Sequence, residues 1–102
     1  MLLNRDRIAD GLRACRETPG AVLFDVRDAQ EYAQGHIPGA VHMTAEEIII
    51  RHPGRDTPMF LYCLRGIRSR RAAWKLRKAG YTHVKSIGGI RDYKGPLESG
   101  KQ

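Results

Sequence analysis

The sequence lacks a long apolar run. None of its stretches approaches the roughly 20 consecutive apolar residues that a membrane-spanning helix needs. Arg5 and Asp6 also place charges where a secretory signal peptide becomes hydrophobic. We therefore expect no membrane partner and a location in the cytoplasm.

Metal-binding patterns are missing as well. The 102 residues include two cysteines and four histidines, and these show none of the CxxC, HxxxH or HExxH spacings that bind metal ions. We expect neither a metal nor another cofactor. Because cytoplasmic thiols stay reduced, Cys15 and Cys63 are expected to remain separate, with Cys15 a buried residue of a helix.

Aromatic residues are few, at 7% of the sequence, although the net charge of +7 would attract an anionic partner. No recognised nucleic-acid-binding motif is present, and the arginines gather around Cys63 instead of forming an extended stripe. These features argue against nucleic acid as the partner. A small anionic molecule fits the composition better.

The apolar runs that are present are short and alternate with helical patterns. This alternation predicts one α/β domain over residues 1–102, with a mainly parallel central sheet and a polar tail that frays from about Pro96. Capping boxes at Asp28 with Glu31 and at Thr44 with Glu47 start two of the helices. Predicted helices cover about 4–16, 28–35, 44–50 (with Pro53 as the stop), 67–79 and 91–94; predicted strands cover about 21–26, 40–43, 59–62 and 81–87.

One stretch joins a strand, a thiol and the start of a helix. An apolar run over residues 59–62 leads into Cys63, a short loop follows, and a helical pattern opens near residue 67. Backbone N–H groups at a helix start lack partners within the helix and carry partial positive charge. Together with the charges of Arg65 and Arg68, they should lower the pKa of Cys63 and hold an anion beside it.

A second segment should lie at the same rim of the sheet. In open parallel sheets, ligands bind beyond the carboxyl ends of the strands. Cys63 follows one predicted strand, and the segment from Asp25 to Arg27 ends another. The two segments therefore point to a single site.

Five groups of residues follow one another at fixed spacings. They are Asp25-Val26-Arg27-Asp28, Glu31-Tyr32, Gly35-His36-Ile37-Pro38-Gly39-Ala40, Cys63-Leu64-Arg65-Gly66-Ile67-Arg68-Ser69, and Gly80-Tyr81 with Gly88-Gly89-Ile90. In this order they resemble the rhodanese family of sulfurtransferases, and the resemblance covers about residues 21–93. Two departures stand out. Tyr93 replaces the tryptophan that usually follows the glycine pair, and the usual N-terminal strand is barely visible, at Leu2-Leu3.

The resemblance implies a rhodanese-like α/β fold with a five-stranded, mostly parallel central sheet flanked by helices on both faces. It also implies that Cys63 is the nucleophile that carries sulfur, in a loop that wraps its side chain in backbone N–H groups. That loop consists of Leu64, Arg65, Gly66, Ile67, Arg68 and Ser69. The implied reaction takes a sulfane sulfur from thiosulfate or a similar donor, holds it as a Cys63 persulfide and passes it to cyanide or a thiol.

The two loop arginines are expected to act differently. Arg65 is free to face solvent and should meet the incoming anion. Arg68 either contacts the donor or forks onto a carboxylate of the neighbouring turn, Glu31 or Asp28, and so fixes the shape of the loop.

Asp25 and Arg27 are expected to support the site. Asp25, at a strand end, suits a hydrogen-bonding brace between loops better than an acid or base. Arg27 either adds positive field at the rim or forms a plain surface or salt-bridged contact. His36 is expected to bond local backbone.

Two other functions are compatible with a cysteine near arginines. A cysteine phosphatase or arsenate reductase is disfavoured, because such phosphatases place five residues between Cys and Arg, whereas four separate Cys63 from Arg68. The other is a relay that receives persulfide sulfur from one protein and passes it to another. Arg70 and Arg71 are then either a solvated helix face or a contact for an acidic partner protein.

Overall fold

The computed structural model describes residues 4–52 and 54–100. Within these residues, helices and strands alternate and a short 3₁₀ helix follows the last strand. The helices are α1 (Asn4–Glu17), α2 (Ala29–Gln34), α3 (Ala45–Arg51) and α4 (Ile67–Lys78); the strands are β1 (Val22–Asp25), β2 (Val41–His42), β3 (Met59–Cys63) and β4 (Val84–Gly89); the 3₁₀ helix is Ile90–Asp92. No helix in this part of the chain is long and apolar enough to cross a membrane.

The described sheet has four strands and not the five that the resemblance implied. Their order is β2-β1-β3-β4, and every neighbouring pair is parallel. The fifth strand was expected at Leu2-Leu3, which lies outside the described residues, as does Pro53, the expected stop of α3. From Asn4 onward the backbone is helical, and Ile8 and Leu12, four residues apart, bury one face of α1.

The helices cover both faces of the sheet, as predicted. All five residues of β3 are buried, and alternate side chains point to opposite faces. Met59 and Leu61 join the apolar cluster of α3 and α4. Phe60 and Tyr62 join the cluster that α1 covers on the other face. Because β3 is buried on both sides, Cys63 lies at the end of the most enclosed strand of the described sheet.

Both capping boxes are confirmed. The Asp28 carboxylate accepts from Glu31 N–H at 2.8 Å, and Glu31 accepts from Asp28 N–H at 3.1 Å. The same reciprocal pair joins Thr44 and Glu47 at the start of α3. These short helices begin where local side-chain bonding dictates.

The last strand begins later than the apolar pattern indicated. Tyr81 stays out of β4 because its N–H donates to the Leu76 carbonyl at the end of α4, while its side chain is buried in the core. At the other end, the strand was predicted to end at about residue 87, but it continues through Gly88 and Gly89. The final helix is the 3₁₀ turn at Ile90–Asp92 and not a helix over about 91–94.

The described part of the tail after Pro96, up to Gly100, is bonded to the fold, in contrast to the frayed segment predicted. Glu98 and His36 form an antiparallel bridge with N–H to carbonyl distances of 2.8 and 2.9 Å. Gly100 N–H also donates to the Ala33 carbonyl at 2.7 Å. The prediction rested on the polarity of the tail, and polarity does not reveal which backbone groups find partners.

Candidate active site

Cys63 is the last residue of β3, and the loop that follows it folds back over its side chain. Only 1% of the residue is exposed. The sulfur accepts from Gly66 N–H, with 3.0 Å between Sγ and N, and from Ser69 N–H at 3.4 Å. The predicted enclosure of the thiol by backbone N–H groups is therefore present in the structure.

Ser69 adds a hydroxyl contact to the sulfur. Its Oγ lies 3.6 Å from Cys63 Sγ, 3.2 Å from the Gly66 carbonyl and 2.7 Å from Ser86 Oγ. Because the Ser86 hydroxyl can donate to Ser69, the Ser69 proton is left for the carbonyl or the sulfur. Ser86 was missed in the sequence, since it reaches the site only through the register of β4.

The balance of burial and hydrogen bonding sets the pKa of Cys63. Burial raises the pKa and is the largest influence. Hydrogen bonds from the Ser69 hydroxyl and from the N–H groups of Ser69, Gly66 and Arg65 together outweigh it, so the pKa lies below the ordinary thiol value. Arg65 thus acts on the thiol through its backbone, whereas the sequence interpretation gave this role to its charge.

Three glycines allow the loop its shape. Gly66, which precedes α4, has φ of 108°, a left-handed conformation that suits glycine. Gly88 has φ of 105° and lies against Gly66. A Cβ on Gly89 would stand 2.0 Å from the Leu64 carbonyl oxygen, so the loop closes directly on the strand opposite Cys63. The glycine pair is therefore part of the site's wall.

Arg68 forks onto Glu31, one of the two carboxylates expected. Its two terminal nitrogens donate to the two carboxylate oxygens of Glu31 at 2.7 and 3.0 Å. These bonds lower the pKa of Glu31 to about 2. Since Glu31 also caps α2, the ion pair ties the loop at the start of α4 to the start of α2.

Asp25 and Arg27 form a buried ion pair beneath the rim. Asp25 is fully buried and accepts from the Arg27 backbone N–H at 2.9 Å and from its guanidinium at 2.8 Å. Arg27 is 6% exposed and also donates to the Gly35 carbonyl at 2.7 Å. The pair links the end of β1 to the end of α2, which is the arrangement of a brace.

The mouth of the site is lined by basic side chains. A cavity of about 290 Å³ lies beside the loop and is open to solvent. Its lining residues are Arg7, Arg65, Gly66, Ile67, Arg70, Gly88, Gly89, Arg91 and Asp92. The sequence interpretation placed Arg65 here but missed Arg7 and Arg91, which come from α1 and the 3₁₀ helix. Leu64 and Ile67 are exposed at the same loop.

The remaining candidates lie elsewhere. His36 is buried and its Nδ1 lies 2.8 Å from the Tyr32 carbonyl, as expected for a local backbone contact. Cys15 was expected to be buried but is only partly buried: it packs against the α1 side of the core as a free thiol, and burial raises its pKa. Across residues 4–52 and 54–100, no three His, Cys, Asp or Glu side chains are grouped so as to hold a metal ion.

Comparison with protein families matches the rhodanese-like domain over residues 9–95. The chain belongs to this family. A rhodanese from E. coli, solved with anions, is 31% identical over 78% of this chain and 99% of its own length, with a TM-score of 0.70. The Alr3790 protein from Anabaena sp. is 30% identical over 90% of this chain and 79% of that chain, with a TM-score of 0.76.

A more distant relative agrees in fold. A rhodanese-related protein from Thermoplasma volcanium is 24% identical over 89% of this chain and 93% of its own, with a TM-score of 0.70. Membership of the rhodanese-like family places the chain among sulfurtransferase-type proteins and their relatives. In this rhodanese-like domain, Cys63 supplies a thiol whose pKa is lowered, enclosed by N–H donors and next to a basic cavity.

Proposed function

We propose that this protein is a sulfurtransferase that moves a sulfane sulfur from thiosulfate, or a similar anionic donor, to cyanide or a thiol. The observation that carries the proposal is the environment of Cys63 Sγ, which accepts from Gly66 and Ser69 and has a lowered pKa. A thiolate at neutral pH is the nucleophile that this reaction needs. No resident cofactor is required, because the cysteine itself carries the sulfur.

The reaction proceeds in two displacements. The Cys63 thiolate attacks the outer sulfur of thiosulfate, the sulfur–sulfur bond of the donor breaks, and sulfite leaves with the bonding electron pair. Cys63 is left as a persulfide. The acceptor then attacks the terminal sulfur, the bond to Sγ breaks, and the thiolate is regenerated.

The basic cavity suits the anionic donor and its anionic leaving group. Arg7, Arg65, Arg70 and Arg91 supply positive charge beside the loop. Arg65 is the loop arginine on this cavity, and we assign it the first contact with the donor. The reducing conditions of the cytoplasm would keep Cys63 and Cys15 as the free thiols that the structure shows.

Arg68 argues against phosphatase chemistry. A cysteine phosphatase needs its arginine on the phosphoryl oxygens, but both terminal nitrogens of Arg68 are engaged by Glu31. We propose Arg68, with Glu31, as a positioning pair for the loop, and Asp25 with Arg27 as the brace behind it.

Turnover of thiosulfate and cyanide by matched cysteine variants tests the proposal. Cys63→Ser should abolish thiocyanate formation, while Cys15→Ser should keep it near the wild-type rate. Near-normal turnover by Cys63→Ser would contradict the proposal. Hydrolysis of an aryl phosphate by the wild type, at rates rivalling sulfur transfer, would favour the phosphatase instead.

A further inference from the structure

Helix α4 carries large apolar side chains on its solvent face. Ile67 is 63% exposed and Trp74 is 58% exposed. They are seven residues apart, which on a helix is two turns, so both lie on one side of α4 at roughly 10 Å spacing. Arg70 and Arg71 lie between them on the same side. The exposed stripe therefore alternates an apolar residue, a pair of cations and a second apolar residue.

This stripe forms one wall of a groove of about 850 Å³ between α4 and α1, beside β4. Five basic side chains line the groove: Arg7, Arg70, Arg71, Arg77 and Lys85. Asp10 is the one carboxylate among the described residues lining it, and Arg13 lies 3.2 Å from that carboxylate. The groove is thus apolar and strongly cationic.

The groove adjoins the cavity beside the Cys63 loop. Arg7, Ile67 and Arg70 line both this groove and the smaller cavity beside the Cys63 loop. Ile67 is also the first residue of α4, directly after Gly66, which donates to Cys63 Sγ. A chain lying in the groove would therefore end beside the loop that encloses the sulfur.

We propose that this groove, bounded by the α4 stripe, docks an acidic segment of a partner protein that exchanges sulfur with Cys63. Acidic side chains of the segment pair with Arg70, Arg71 and Lys85, and two of its apolar side chains cover Ile67 and Trp74. The docking follows from the surface alone, whereas the exchange of sulfur rests on the function proposed above. Two copies of this chain would bring like charges together, since each carries a net charge of +7.

A protein segment fits better than nucleic acid. Phosphates would satisfy the cations, but they would not cover Ile67, whose apolar side chain is more than half exposed and gains nothing from contact with phosphate or sugar. The segment docks by its side chains and does not extend the sheet. Strand β4 is the edge strand of the described sheet, but two of its carbonyls already have partners. The Val84 carbonyl accepts from Arg77 at 2.8 Å, and the Ser86 carbonyl accepts from Arg7 at 3.0 Å.

Trp74 allows a direct binding test, because it is the only tryptophan in the sequence. The probe is a short synthetic peptide of Asp and Glu residues with two leucines and no tryptophan. Titration should change Trp74 emission and saturate, and the same peptide with Asn and Gln in place of the acids should bind at least about tenfold more weakly. Equal binding of the neutral peptide would overturn the proposal.

A charge-reversal variant locates the binding. Arg71→Glu with Lys85→Glu should weaken the acidic peptide at least about tenfold. Its matched control, Arg51→Glu with Lys94→Glu, changes the net charge equally at exposed positions away from the groove and should bind within about twofold of wild type. If both variants lost affinity for the acidic peptide equally, net charge alone would explain the binding and the proposal would be overturned. So would an oligodeoxynucleotide of equal charge that binds more tightly than the peptide.

Sulfur transfer separates this proposal from the function proposed above. With a cysteine added to the acidic peptide as the acceptor, the groove variant should lose about tenfold in kcat/KM for the peptide and retain the wild-type kcat with saturating thiosulfate and cyanide. Peptide binding without any sulfur transfer by the wild type would refute the sulfurtransferase function and leave the docking intact. If the groove variant transferred sulfur to the peptide with the wild-type kcat/KM, the docking would be refuted and the sulfurtransferase function would stand.

Discussion

At the scale of single residues, the thiol of Cys63 is governed by a few short contacts. Gly66 and Ser69 N–H groups donate to the sulfur, and the Ser69 hydroxyl lies 3.6 Å away. These bonds favour the thiolate, and burial opposes it. The guanidinium of Arg68 does not bind the sulfur, because it forms an ion pair with Glu31.

Replacing Ser69 by alanine tests the contribution of its hydroxyl. Ser69→Ala removes one of the bonds that lower the pKa of Cys63, so we expect the pKa to rise and alkylation at neutral pH to slow. The measurement is the alkylation rate as a function of pH, made in a Cys15→Ser background so that one thiol reacts. The control is Ser86→Ala, which removes the other hydroxyl of the Ser69–Ser86 pair and leaves the Ser69 hydroxyl in place. An unchanged pH profile in Ser69→Ala would show that the hydroxyl does not act on the thiol.

The Glu31–Arg68 pair should appear in the acid stability of the fold. The pKa of Glu31 is lowered from 4.5 to about 2, so its contribution is fully present above the unfolded value of 4.5 and is lost as the pH falls through about 2. Arg68 is 41% exposed, so solvent screening limits the contribution to about 1 kcal/mol. Glu31→Gln keeps an oxygen for capping α2 but removes the charge.

Urea unfolding of Glu31→Gln and wild type at several pH values measures this contribution. The variant should be less stable by about 1 kcal/mol at pH 7, and the difference should shrink as the pH approaches 2. If the difference in free energy of unfolding stayed constant from pH 7 to pH 2, the loss of stability in the variant would not come from the charge of Glu31.

At the scale of elements, β4 closes the loop that encloses Cys63. Gly89 has ordinary extended φ of −133°, so alanine would suit its backbone, yet a Cβ there would collide with the Leu64 carbonyl oxygen. Gly89→Ala should push the loop outward and lower kcat/KM for sulfur transfer about 100-fold, because a displacement near 1 Å suffices for that.

The matched control is Gly20→Ala, which places alanine at a left-handed glycine with open space around it. It should lower stability without affecting sulfur transfer. Unchanged kcat/KM in Gly89→Ala, with wild-type circular dichroism, would show that the loop does not depend on this contact.

Local sequence determined some elements and not others. The starts of α2 and α3 were predictable, because Asp28 with Glu31 and Thr44 with Glu47 bond within three residues. The start of β4 was not, since Tyr81 is held by the end of α4 and by the core.

The same division applies to the site. Cys63 was predicted from the loop, and the Arg68–Glu31 pair was one of the alternatives that the loop and its neighbouring turn left open. Ser86, Arg7 and Arg91 reach the site from other elements, by strand register and helix packing, and no local pattern marks them. Long-range placement is therefore the part of the site that a single sequence leaves open.

At the scale of the whole molecule, the net charge of +7 should assist the capture of an anionic donor. The screening length falls from about 30 Å at 0.01 M salt to about 8 Å at 0.15 M. We expect KM for thiosulfate to rise over this range while kcat at saturating donor stays constant. Steady-state kinetics in sodium chloride measures both, and a KM independent of salt would contradict electrostatic capture at the basic cavity.

The central claim is that Cys63 carries sulfur as a persulfide, and intact-protein mass spectrometry after incubation with thiosulfate tests it most directly. The wild type and Cys15→Ser should each gain the mass of one sulfur atom and lose it when cyanide is added. Cys63→Ser should gain nothing. A wild-type protein that gains no sulfur, or a gain that persists in Cys63→Ser, would contradict the account.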